Sequence, residues 1–174
     1  MLAYRLAPVL GGGKPAELIS FSPGDPGLFK AWKRRGSSLV ESWGLETFAL
    51  RERADCACVV IYDEESLCGG LADPRSIRML KSLGYASLEA ASWKERLRCR
   101  FQGECPHELG LFLGIPYGDV REFIAQEGTN YLFQGYWKVY ERPDEARALF
   151  ADFDRRKDAA IRGWLAESSG ARTL

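Results

Sequence analysis

The chain carries a single histidine, His107, in the run Pro106, His107, Glu108. Imidazole is the side chain that both takes up and releases protons near neutral pH, so His107 is the candidate catalytic residue, as proton donor or polar anchor. If the segment is extended, consecutive side chains alternate, and Glu108 points away from His107 rather than forming a dyad with it. A zinc protease is excluded, because HELGL lacks the second histidine that HExxH places one helical turn later. A metal site would have to combine His107 with Cys105, which shares its face in an extended chain, and with thiols from elsewhere such as Cys99 or the Cys56, Cys58 pair. None of these has the CxxC spacing of a ribbon or finger, so no metal site is favoured. Cys99, Cys105 and His107 remain the set for an alternative redox or metal-linked reading. The plainer role of the cysteines is that of small buried hydrophobes.

Two further groups could contact a ligand. Gly11, Gly12, Gly13 and Lys14 resemble a phosphate loop, but a Walker loop needs glycine and Ser or Thr where Pro8 and Pro15 stand. The glycines then serve a turn, and Lys14 supplies a positive charge if this segment folds over a sheet. Tyr117, Tyr136 and Lys138, with Trp137 and Tyr140 nearby, could wall a pocket for a small anionic or aromatic ligand; the competing reading makes the aromatics core. The ligand-binding candidates are thus Lys14, Glu108, Tyr117, Tyr136 and Lys138, and the sequence names no cofactor.

Elements must position these groups. Residues 8–26 are rich in glycine and proline and predict turns wrapped over the surface, apart from a short apolar piece, Leu18 to Phe21. Asp25 and Pro26 open a helix in which Phe29, Trp32, Gly36, Leu39, Val40 and Trp43 recur at helical spacing before Gly44. Thr47 to Arg51 is a short strand, and the β-branched run CVVIY from Cys58 predicts a strand buried on both faces. Asp73 and Pro74 start a helix that stops at Gly84; another opens at Ser87 and carries Leu88, Trp93 and Leu97 towards Phe101. Gly103 to Pro106 reads as a turn. Leu109 to Leu113 reads as a strand, since its glycines weaken a helix. Pro116 begins a helix ending near Gly128, and GYWKVY, Gly135 to Tyr140, reads as a strand with Tyr136, Lys138 and Tyr140 on one face and Trp137 and Val139 on the other. A long helix follows from Pro143, with Ala146, Leu149, Phe150, Phe153, Ile161 and Trp164 on one stripe. Together these predict an α/β or α+β single domain over residues 1–167, with a three to four stranded mixed or parallel sheet covered by about five helices, and a flexible tail over 168–174.

Composition sets the class. The 24 basic and 24 acidic side chains cancel, which weighs against nucleic acid as the main partner, and Lys33, Arg34 and Arg35, too short a cluster for a basic face, read as a solvated helix face. No apolar run approaches the ~20 residues of a membrane span and the start is too interrupted for a signal peptide, so a cytoplasmic protein is expected. Five cysteines, an odd number, fit reduced thiols there.

Three blocks, APVLGGGKPAELISF, PHELGLFLGIPYGDVREFI and GYWKVY, resemble in order and spacing the bacterial family known as domain of unknown function 3793, over nearly the whole chain. The resemblance implies a single-domain, non-secreted protein and carries over no catalytic residue. This chain departs from it at Cys105, where a bulky apolar residue is expected, which weighs against that thiol defining the family's chemistry. The expected function is small-molecule or cofactor binding beside residues 106–114, with catalysis left open. A redox or metal-linked protein is one alternative. The other is a non-enzymatic interaction module presenting the Trp32 and Trp43 helix or the last helix.

Overall fold

The computed structural model describes residues 2–22, 24, 26–87, 90–102 and 105–170. The chain opens with helix α1 (Leu2–Leu10) and strand β1 (Ala16–Phe21). It then runs through α2 (Pro26–Ala31), a π-helical turn (Trp32–Gly36) and α3 (Ser37–Glu41) to the hairpin β2 (Glu46–Glu52) and β3 (Ala57–Tyr62). Helices α4 (Glu64–Gly70), α5 (Pro74–Ser82), α6 (Ala90–Arg100), α7 (Leu109–Phe112) and α8 (Tyr117–Ala125) follow. A short hairpin, β4 (Phe133–Gln134) and β5 (Lys138–Val139), leads into the long α9 (Pro143–Gly170).

The fold is mixed α/β, as the sequence predicts, but the sheet is not the one expected. Its three strands pair antiparallel in the order β1-β3-β2, and β4 and β5 form a separate pair. Only residues 53–56 join β2 to β3, far fewer than the dozen or so a parallel crossover needs, so the two must form a hairpin. The helical segments are also shorter and more numerous than five. β3 is central and every one of its residues is buried, the outcome its β-branched run predicts. Alternation splits it between two layers. Cys58, Val60 and Tyr62 join the core built with α4 to α8, while Ala57, Val59 and Ile61 join the core under α1, α2 and α3.

Three local expectations change. Residues 8–26 do not simply wrap the surface: Pro8 lies inside α1, which packs along α9, and Ala16–Phe21 is a full edge strand of the sheet. Leu109 to Leu113 is the helical turn α7, all four helical residues of which are buried. Its end explains the glycines. Gly114 adopts φ 81°, the Gly114 amide donates to the Leu111 carbonyl, and the Ile115 amide donates to the Gly110 carbonyl, so two otherwise orphaned carbonyls are satisfied. A short apolar run does not distinguish a buried strand from a buried helix by periodicity, and the helix-stop role of Gly114 decides the matter. Finally, strand structure in GYWKVY is confined to Lys138 and Val139, because residues 135–137 bend to close the hairpin.

The long helix begins at Pro143 as expected and continues through Gly170, so the predicted tail starts inside it; residues 171–174 lie outside the described residues. Asp25, Leu88, Gly103 and Glu104, which carry two predicted helix starts and a turn, also lie outside them. A small third core joins α9 to the β4–β5 hairpin through Val139, Ala146, Phe150 and Phe153. No helix among the described residues is long and apolar enough to cross a membrane.

Candidate functional site

The apolar segment 105–115 folds as a turn followed by α7, with Gly114 backed directly onto the Pro15 ring, where a Cβ would come within 2.5 Å of Pro15 Cδ. The hairpin β4–β5 hangs over this segment and is tied down by one buried acid. Asp119, in the first turn of α8 and 2% exposed, accepts hydrogen bonds from Trp137 Nε1 (2.7 Å), the Tyr140 amide (2.8 Å) and the Glu141 amide (2.9 Å). A carboxylate has enough lone pairs for all three donors, so Asp119 fixes both the indole and the chain beyond β5 against α8.

Between these parts lies a cleft of about 340 Å³. Its apolar walls come from Leu18, Leu109, Leu113, Ile115, Val120, Phe123 and Trp137, and its polar groups from Cys105, His107, Asp119, Gln134 and Lys138. The volume falls in the range that small-molecule pockets commonly span, and a few polar groups are set into apolar walls. His107 is exposed, its ring meets the Phe123 ring edge to face at 5.0 Å, and neither ring nitrogen has a hydrogen-bond partner among the described residues. Lys138 Nζ donates to the Gly128 carbonyl at 2.7 Å and lies 4.9 Å from the Tyr131 ring centroid and 5.7 Å from that of Phe123. An ammonium has three donors, so this anchorage orients the charge and leaves capacity for an anion.

Glu108 behaves quite differently from its neighbour. It is 2% exposed and forms a buried ion pair with Arg100, whose Nε and Nη2 both reach the carboxylate, while the Tyr85 hydroxyl donates to Oε1 at 3.0 Å. Burial alone would raise this carboxyl, but the Arg100 and Tyr85 hydrogen bonds outweigh it and hold it below its ordinary value. Burial and the Glu108 charge push the Tyr85 phenol up, so Tyr85 stays a donor. This cluster stands behind a second hollow of about 470 Å³ on the other side of Pro106 and His107, where Ser82, Arg100 and Glu108 reach the wall. Cys105, Pro106 and His107 line both hollows. The Cys105 residue is exposed overall, yet burial around its sulfur, with Cys58 and Glu108 nearby, pushes its thiol up.

The sequence matches a known family over nearly its whole length. The family model described as a protein of unknown function, DUF3793, matches residues 2–173. The chain belongs to that family. Comparison with curated proteins and with solved structures found no match.

Of the candidates expected from this DUF3793 sequence, His107 and Lys138 are brought into one cleft. Glu108 is turned away from it, as the opposite-face argument requires, although a turn rather than a strand does the turning. Lys14 is outside the cleft, bound to Glu17 at 2.6 Å with its side chain only 12% exposed. The glycine run beside it is no phosphate cradle: Arg156 of α9 lies across it, and Nη1 of that side chain donates to the Gly11 carbonyl. Tyr117 lies under the Arg75 and Arg121 guanidiniums, lining a different hollow, of about 210 Å³. Tyr136 faces α9, donating to Asp154 at 2.6 Å and accepting from Lys157 at 3.0 Å. The predicted alternation fails here, because the bend at 135–137 puts Trp137 and Lys138 on the same cleft while Tyr136 leaves it.

Among the described residues no group of three or more His, Cys, Asp or Glu side chains is placed to hold a metal, so Cys99, Cys105 and His107 do not form the alternative ligand set. The thiol of Cys99 lies instead beside Glu95 on α6. Sequence reasoning missed Asp119, Phe123 and Gln134. The signal for Asp119 was an acid in the first turn after Pro116, which reads as helix-dipole complementarity until the hairpin folds onto it.

Proposed function

We propose that this protein binds a small molecule with an apolar, ring-sized body and an anionic group in the cleft beneath the β4–β5 hairpin. The observation that carries the reading is that His107 and Lys138, from separate elements, line one apolar cleft of about 340 Å³. Lys138 supplies the fixed charge and His107 the hydrogen bond, while Trp137, Phe123, Leu109 and Val120 cover the body of the ligand. Burial of each ring-sized apolar face contributes in proportion to area, and the polar pair sets orientation.

Binding rather than turnover is what the surroundings of His107 support. A general base is oriented by a third group; among the described residues, the neighbouring carboxylate of Glu108 is committed to Arg100 and Tyr85, and that of Asp119 in the cleft wall to Trp137, Tyr140 and Glu141. A thiolate nucleophile at Cys105 is opposed by the burial that pushes its thiol up. As the only histidine, His107 gives a single imidazole C2–H resonance in proton NMR, an unambiguous reporter of this cleft. Titration with indole-3-carboxylate and benzoate is expected to move that resonance and to raise the melting temperature. Lys138→Met is expected to weaken binding about tenfold or more, as for loss of one charge-assisted hydrogen bond. The reading is lost if neither compound, nor any of a panel of aromatic carboxylates and nucleotides, stabilises wild type more than His107→Ala.

A further inference from the structure

A second site stands on the opposite layer of the sheet, independent of the cleft just described. The helical segment from Pro26 to Glu41 is interrupted by the π-helical turn Trp32–Gly36, whose backbone enters and leaves in ordinary right-handed geometry. A π turn closes i→i+5 bonds rather than i→i+4. Arg34 and Arg35, consecutive in this turn, both line a groove of about 560 Å³. Its apolar lining comes from the aliphatic Leu2, Leu28, Ala31 and Leu39 and from the aromatic pair Phe21 and Trp32.

The two guanidiniums are the unexplained part. Their neighbour Lys33 is bound to Glu52; other arginines, such as Arg53 and Arg78, also have no ion pair among the described residues, but these two line the groove. Arg34 and Arg35 are exposed and have no ion pair or hydrogen bond among the described residues. Two unpaired positive charges at the mouth of an apolar groove complement one kind of occupant, a chain that is apolar along its length and anionic at its end.

The indole decides between a chain and a stacked ring. Trp32 stacks on Phe21 with centroids 4.9 Å apart at 25°. Gly36 backs onto the six-membered part of the indole, where a Cβ would sit 2.2 Å from Trp32 Cε3. The two aromatic rings that line the groove are thus stacked on each other, and the rest of its apolar lining is aliphatic. We infer that this groove binds a single-chain aliphatic carboxylate, its tail along Leu2, Leu28 and Leu39 and its head between Arg34 and Arg35.

Calorimetric titration of the full chain with decanoate, decanol and acetate, each kept below any micelle-forming concentration, tests the assignment. Decanoate is expected to bind saturably, and decanol, which lacks the charge, and acetate, which lacks the tail, at least tenfold more weakly. The double variant Arg34→Gln with Arg35→Gln, at exposed positions that leave the core intact, is expected to lower decanoate affinity about tenfold or more. Gly36→Ala, which must displace the indole, is expected to lower it with both arginines present. His107→Ala is expected to leave decanoate affinity unchanged, which separates this groove from the cleft under the hairpin. Equal affinity for decanol or acetate, no effect of the double arginine change, or loss of binding in His107→Ala would each overturn the assignment. So would adhesion to phosphatidylglycerol vesicles without saturable decanoate binding, which would make the patch a membrane-facing surface.

Discussion

Replacing Glu108 by glutamine tests the buried cluster behind the candidate cleft most directly. The substitution keeps the volume and most of the hydrogen-bonding geometry but removes the charge that faces Arg100 and Tyr85. Removing one member of a buried ion pair costs about 3–5 kcal/mol. Glu108 is 2% exposed but Arg100 is 31% exposed, so water recovers part of the arginine's solvation and a cost of roughly 2–3 kcal/mol is expected. For a chain of this size that lowers the melting temperature by about 4–12 °C. Urea denaturation followed by circular dichroism at pH 7 should show a lower midpoint with an unchanged slope. The pH dependence carries its own sign. The folded-state pKa of Glu108 lies below the ordinary carboxylate value, so its contribution is fully present above that value, about 4.3–4.5, and is lost as pH falls through the depressed folded value. The stability curves of wild type and Glu108→Gln should therefore run apart at neutral pH and converge in acid. Replacing both partners by apolar residues, Arg100→Met with Glu108→Leu, should recover most of the loss, because no charge is then left unpaired. A difference under about 0.5 kcal/mol at pH 7, on the scale of a neutral surface change, would refute the reasoning. So would a difference that persists unchanged below both carboxyl values.

Three other outcomes follow from single contacts. Asp119→Asn leaves one acceptor oxygen for three donors and turns an amide donor towards them, so a loss of about 2–3 kcal/mol is expected, with a shifted Trp137 indole N–H resonance showing that the hairpin has loosened. Gly114→Ala places a side chain at φ 81° and drives its Cβ towards Pro15; about 2 kcal/mol or more of destabilisation in urea is expected, and a neutral result would count against the close approach described. The Cys105 thiol, pushed up by burial, should alkylate with iodoacetamide more slowly than free cysteine at pH 7, with its rate still climbing at pH values where free cysteine has levelled off, as followed by peptide mass spectrometry.

Much of the element content was legible because it rests on local physics. The β-branched run at Cys58 to Tyr62 had to be a strand buried on both sides, and Pro143 with Asp144 and Glu145 had to start a helix. The misreadings share a cause. Leu109 to Leu113 is too short for its periodicity to choose between helix and strand, and Gly114, which ends the helical turn at positive φ, also packs against Pro15, a residue distant in sequence. The proline inside α1 argues against a helix locally, and the burial of Leu6, Ala7 and Val9 overrides it.

The sequence by itself determined that this is a mixed α/β chain of the DUF3793 family, and that any site with imidazole chemistry is at His107. Strand pairing, and which charged groups share a cleft, were decided only by tertiary structure. Lys14, Glu108 and Lys138 are all plausible ligand contacts as residue types, but an ionisable side chain acts according to its partners in space. Glu17 holds the first and Arg100 the second, while Lys138, anchored by the Gly128 carbonyl, lines the same cleft as His107. Arg34 and Arg35 are exposed on a helical segment, as the sequence predicts, and only the tertiary structure shows that they also line an apolar groove.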